Sequence, residues 1–183
     1  MKEEKLDQYD FPWDKDEVIF AKEEEYAKEI GGFLIAFSNL ESAVNVLIAD
    51  GISDRSHDLG YKIVKHLKYR NKIELAKELY IPVINSIPVE KIRKKSAQEF
   101  ERIFTKLVDL GEFRNKVAHA NWMSLNKSGY VRTTITSAKD GSIKFKKVII
   151  TPKNLSCLGT ECYSIATHVY HLSERLFKRL LVK

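Results

Sequence analysis

Four long stretches of the chain repeat apolar residues at three- and four-residue spacing, the period of an amphipathic helix. The first predicted helix opens at Asp16 and runs to about residue 50, with Ile30, Leu34, Phe37, Val44 and Ile48 on one face. Gly31-Gly32 interrupts it, and Gly51 ends it as a C-cap does. A second helical region runs from about residue 58 to 80, followed by a loop bracketed by Pro82 and Pro88. The third, from about 89 to 119, carries Phe100, Ile103, Leu107, Leu110 and Val117. The period then changes. Residues 130–136 and 143–150 are β-branched stretches around Asp140-Gly141, which reads as a β-hairpin. Thr151-Pro152 opens a last helix to about residue 181, with Leu155, Leu158, Ile165, Val169, Leu172 and Leu176 on its seam. The predicted fold is mainly α: a four-helix bundle with a β-hairpin inserted between the third and fourth long helices.

Composition narrows the class. A length of 183 residues with 44% hydrophobic and 31% charged positions suits one domain with a sizeable core. Residues 1–15 read as an irregular lead-in, with Phe11, Pro12 and Trp13 able to dock on the body, and residues 16–183 as a single helical domain. Eight glycines and four prolines are too few for a linker-rich or low-complexity chain. No apolar run approaches the roughly 18 residues that span a bilayer, and the MKEEKLDQYD start is acidic where a signal peptide is basic. Cys157 and Cys162 are five apart in a predicted helix and read as free thiols. The expectation is a soluble, cytoplasmic protein with no membrane partner.

Charge adds an asymmetry. The first 50 residues hold 5 Lys/Arg against 13 Asp/Glu, a net −8, which leaves the rest of this +6 chain at +14. A body that basic attracts polyanions such as RNA or DNA, although a lysine-rich solvated surface has the same composition.

Two charged residues sit where the stripes reserve hydrophobes. Glu41 falls between Phe37 and Val44, and Arg114 between Leu110 and Val117. An unpaired buried charge is costly, so each needs a partner or a cleft, and their opposite signs suggest one another. Equally, both can lie at the edge of the core with buried stems and solvated heads. Around Arg114 the segment EFRNKVAHANW, residues 112–122, gathers the most chemistry. Asn115 and His119 are i and i+4 and share one helix face, with Arg114 about 100° away. A phosphate-clamping guanidinium, an imidazole that titrates near neutrality and an orienting amide thus fall within two turns. As a lone residue, His119 also fits an exposed helix-end histidine favoured by the dipole.

RNKVAH, residues 114–119, resembles the Arg-x4-6-His motif of the HEPN superfamily, in the form with a polar residue after the arginine found in members that cut RNA. The segment FSNLESAVNVLI, residues 37–48, is similar to that superfamily's first helix. The resemblance spans roughly residues 17–181 in architecture and about 20 residues in detail. It implies a metal-independent endoribonuclease without cofactors, or a catalytically silent relative, that pairs as a homodimer so that both protomers' Arg and His line one cleft. On this chain Arg114 would bind the scissile phosphate, His119 would transfer protons, and Asn115 would orient the histidine or the phosphate. Products would carry 2′,3′-cyclic phosphate and 5′-hydroxyl ends. Such a nuclease could be a toxin or antiviral effector, held in check by an antitoxin or other regulatory protein. Glu41 is an addition from the stripe argument, as the carboxylate that holds Arg114.

Other chemistries lack their motifs. The five histidines and two cysteines show no metal-ligand spacing, and His168 and His171 read as polar-face residues. GxxxxGK[ST], GxGxxG and GxSxG are absent. Basic residues complete an RNA footprint: Lys62, Lys65, Lys68, Arg70 and Lys72; Arg93, Lys94 and Lys95; and Lys144, Lys146 and Lys147 along the hairpin beside Tyr130 and Phe145. Alternate lysines on an edge hairpin also discourage aggregation. Two other readings stay open: a non-catalytic dimeric module binding nucleotide, nucleic acid or a protein partner, and a DNA-binding regulator using the hairpin.

Overall fold

The computed structural model describes residues 2–5, 16–52, 58–125, 129–137 and 143–181. It is mainly helical with a small antiparallel sheet. In chain order the elements are β1 (Lys2–Lys5), α1 (Asp16–Ile52), α2 (Asp58–Val64), α3 (Tyr69–Asn85), α4 (Glu90–Ala118), β2 (Asn121–Leu125), β3 (Gly129–Ser137), β4 (Ile143–Ile149), α5 (Pro152–Tyr170) and α6 (Leu172–Leu180). The chain forms two compact units, residues 1–35 with 114–159, and residues 36–113 with 160–183. By chain connectivity, α1, α4 and α5 each contribute to both, where the sequence suggested one domain from residue 16 onward.

In the first unit the strands pair in the order β1-β4-β3-β2, all antiparallel. The predicted hairpin is present as β3 and β4, with Ser137 opposite Ile143 at its closed end. Asp140-Gly141 and the lead-in residues Phe11, Pro12 and Trp13 lie outside the described residues. Two strands were not foreseen: β2 adds to β3, and β1, inside the supposed irregular lead-in, adds to β4. Thr151 caps α5 reciprocally. The Asn154 amide N–H donates to Thr151 Oγ1 at 3.1 Å, while Asn154 Oδ1 accepts from the Thr151 hydroxyl at 2.7 Å and its backbone N–H at 3.3 Å. Pro152 occupies the first helical position, where a missing N–H costs nothing.

The second unit buries Phe37, Leu40, Leu47 and Ile48 of α1, Ile73 and Tyr80 of α3, Phe104 and Leu107 of α4, Cys162 of α5 and Leu176 of α6. Its helices break where the sequence reading ran them on. The second predicted helix is two, with α2 ending at Val64 and α3 beginning at Tyr69. Pro82 lies inside α3, and Ser86 closes that helix by donating both N–H and hydroxyl to the Pro82 carbonyl at 3.1 and 2.9 Å. The last helix breaks at His171, where Arg175 donates to the His168 carbonyl at 3.0 Å. Arg175 and Arg179 both clasp Glu99 of α4, at 3.1 and 2.9 Å.

Glycines depart from expectation in both directions. Helix α1 continues through Gly31-Gly32, and a Cβ at either meets no atom within 4 Å, so tight packing does not explain them. Gly51 lies within α1 rather than after it, and a Cβ there would stand 3.1 Å from Tyr80 Cε2. Its role is close packing against a buried ring.

Candidate active site

The RNKVAH segment lies in the first unit at the end of α4, which stops at Ala118, one residue before the predicted limit. Helix ends leave carbonyls without intrahelical donors. Two side chains of the sheet supply them: Arg132 Nη1 of β3 donates to the Lys116 carbonyl at 3.2 Å, and Trp122 Nε1 of β2 to the Val117 carbonyl at 3.2 Å. Val117 is buried, as is Arg132, and the Trp122 ring lies 6.2 Å from the ring of Tyr26. The last turn of α4 is therefore fixed by the strands that follow it. Neither capping residue stood out in the sequence, because each acts through its fold neighbours rather than through local spacing.

On this fixed turn Arg114 is half-buried while Asn115 and His119 are exposed. Arg114 Nη1 donates to Asn115 Oδ1 at 3.3 Å. The Asn115 amide oxygen is thereby engaged with the guanidinium. His119 sits in the turn just past the helix, with its backbone N–H donating to the Asn115 carbonyl at 3.1 Å. A cation, an amide and an imidazole are thus presented on one helix terminus with two of the three accessible.

The remaining expected site residues are placed as follows. Glu41 lies in the second unit and ion-pairs with Lys72 at 2.7 Å, so within that unit α3 supplies its partner. Lys72, expected among the RNA-contacting cations, is only 6% exposed and serves the core instead. Lys147 is likewise buried, at 7% exposure, on the central strand β4 opposite Thr133, which corrects its reading as a solvent-facing phosphate contact. Lys144 and Lys146 pair in register with Thr136 and Thr134, and their side chains lie outside the described residues. His168 and His171 are exposed. Among the described residues no group of three or more His, Cys, Asp or Glu gathers as a metal site requires.

Two further groups lie in the second unit, one part-buried and one buried. Tyr69 donates to the Leu107 carbonyl at 3.1 Å, stacks obliquely on Phe37 at 4.8 Å, and has its pKa raised, first by burial and then by nearby Cys162 and Glu41. Burial, reinforced by Glu161, pushes the Cys162 thiol up to about 12. An inert neutral thiol follows, unlike an activated nucleophile. Both cysteines are free, as expected, with Cys157 exposed.

Helix α1 also bears on localisation. Within residues 19–52 it holds a window of mean hydropathy 1.5, apolar enough to cross a membrane, yet half of that window is buried inside the protein. A core helix has that character, and the structure does not show a clear membrane protein. Comparison with known proteins finds no matching family model, no similar curated protein and no similar solved structure.

Proposed function

We propose that the chain is a metal-independent endoribonuclease of HEPN type, built on a HEPN-like helical bundle and acting in the cytoplasm as a homodimer. The observation that carries this reading is the Arg114–Asn115 hydrogen bond on the last turn of α4 beside the exposed His119. Arg114 binds a non-bridging oxygen of the scissile phosphate and stabilises the charge that grows on it. Asn115, held by Arg114, orients the phosphate or the imidazole. His119 takes the proton of the attacking 2′-hydroxyl or returns one to the departing 5′-oxygen, and a second protomer's site supplies the complementary transfer. The 2′-oxygen bonds to phosphorus as the 5′-oxygen leaves, so water is not consumed and a cyclic phosphate results. Two protomers in one cleft also hold the strand for in-line attack.

The test compares wild type, Arg114→Ala and His119→Ala on end-labelled single-stranded and structured RNA in the presence of a chelator. Cleavage by wild type, with loss of at least a hundredfold in His119→Ala at unchanged fold and mass, is the expected result. Equal cleavage by all three proteins contradicts the reading. Retention of RNA without cleavage by any of them supports a non-catalytic module in its place. If the protein is a toxin or antiviral effector, wild type slows growth of its host and His119→Ala does not.

A further inference from the structure

Helix α2 and the turn that follows it, all within the second unit, present a surface to which the chemistry at the end of α4 gives no role. A Cβ on Gly60 would lie 2.5 Å from Ala49 Cα, so this glycine is what lets α2 pack on α1, along the side that also buries Val64. At about 100° per residue the opposite side is crested by Lys62, with Leu59 and Ile63 on one flank and Tyr61 on the other. Lys62 is exposed, and Leu59, Ile63 and Tyr61 are 55%, 37% and 42% exposed. Lys65, Lys68 and Arg70 follow, also exposed, so residues 58–70 carry these four cations against the single carboxylate of Asp58, a net +3. Two features set the four apart. Lys94, Lys106 and Lys178 each ion-pair with a carboxylate at 2.7, 2.7 and 2.6 Å, whereas among the described residues none of Lys62, Lys65, Lys68 and Arg70 forms an ion pair. Lys68 is moreover the N-cap of α3, without a side-chain cap bond, and Arg70 lies in a first turn that holds no carboxylate. The positive end of a helix dipole disfavours cations there, and an anion laid against the turn relieves that repulsion.

A single exposed apolar residue is ordinary. Here three fall within five positions of one short helix, on a ridge rather than in a groove, and among unpaired cations. RNA would account for the cations but leaves the aliphatic Leu59 and Ile63 without a role. A lipid leaflet that carries negative headgroups accounts for both. We propose that residues 58–70 bind the surface of an anionic phospholipid membrane, with Lys62, Lys65, Lys68 and Arg70 on the headgroups and Leu59, Tyr61 and Ile63 entering the boundary between headgroups and acyl chains. The long stem of Lys62 keeps its ammonium at headgroup level while its apolar flanks sink. Tyr61, with an apolar ring and a polar tip, suits the same depth. Such a contact lies on the membrane and needs no spanning segment. It revises the expectation of no membrane partner, which concerned spanning segments alone. It uses none of Arg114, Asn115 or His119, so it stands or falls apart from the nuclease reading.

The experiment sediments the full chain with vesicles of phosphatidylcholine alone, or of phosphatidylcholine with about a third phosphatidylserine. Wild type is compared with Lys62→Gln/Lys65→Gln/Lys68→Gln, with Leu59→Ser/Ile63→Ser, and with Lys94→Gln as a control cation elsewhere in the second unit. All these positions are exposed, and circular dichroism confirms the fold of each variant. Wild type is expected to bind the phosphatidylserine vesicles at least about tenfold more tightly than the neutral ones. Each lysine facing an anionic leaflet is worth roughly fivefold, so the triple variant should lose about a hundredfold. Leu59→Ser/Ile63→Ser should lose about tenfold, and Lys94→Gln should bind as wild type does. A wild type that binds neither vesicle overturns the proposal. So does binding that depends on the lysines but is unchanged in Leu59→Ser/Ile63→Ser, which is adsorption by charge alone. Retention of single-stranded RNA that the triple lysine variant loses, by a wild type that ignores both vesicles, would assign the cations to RNA instead. His119→Ala is expected to sediment as wild type does, whatever the RNA cleavage assay gives.

Discussion

At the scale of single residues, tolerance is set by a few close approaches. A Cβ on Gly111 would lie 2.5 Å from Tyr69 Cε1, and the Tyr69 ring cannot swing away without giving up its bond to the Leu107 carbonyl. Gly111→Ala is therefore expected to cost about 1–3 kcal/mol despite its better helix propensity, measured by urea denaturation. Stability equal to or above wild type would contradict that packing. Lys72 supplies a second case. Its side chain is 8% exposed and that of Glu41 34%, so Glu41→Gln strands a buried ammonium and should cost roughly 2–4 kcal/mol. The stripe argument located Glu41 as a charge needing a partner. The RNA-footprint reading misjudged Lys72 because a lysine in a list of lysines carries no mark of the direction it faces. Arg114, Asn115 and His119 were legible because their spacing is local, and one helix turn suffices to place them.

At the scale of elements, the end of α4 shows how the sheet serves the candidate site. Removing the Arg132 donor with Arg132→Met leaves the Lys116 carbonyl without that partner, and the last turn of α4 should fray. The expected result is faster amide exchange at residues 116–119, about 1–2 kcal/mol less stability, and RNA cleavage lowered without any change at Arg114 or His119. Unchanged exchange there would show that the strands do not hold the turn. The limits of α4 were legible to within one residue, since a long apolar stripe marks a helix clearly. The hairpin was legible from its β-branched runs. Strands β1 and β2 were not: KEEK and NWMSL show neither alternation nor β-branching, and their place comes from pairing with β4 and β3. Breaks at residues 65–68 and at His171 were also hidden, because the apolar period continues across each and only tertiary packing stops the helix.

At the scale of the whole molecule, buried titratable groups set the alkaline limit of stability. Tyr69 and Tyr80 have pKa values raised from 10.0, and Cys162 from 9.0 to about 12, in each case chiefly by burial. Folding therefore favours their neutral forms. The stability they contribute is complete below about pH 9 and is lost as the pH rises from there through their folded values, since the unfolded chain ionises first. A melting temperature that falls steadily above pH 9 and is flat between 7 and 9 is expected from these groups; no fall by pH 11 would contradict their burial. Charge asymmetry was legible from composition, but composition does not say which cations are surface and which, like Lys72 and Lys147, are core. The central claim concerns what the end of α4 does to RNA. It is tested most directly by identifying the product ends after incubation with RNA in a chelator. A 2′,3′-cyclic phosphate on one fragment and a 5′-hydroxyl on the other, absent with His119→Ala, is the predicted result. Fragments bearing 5′-phosphates, or the same fragments from His119→Ala, would contradict it.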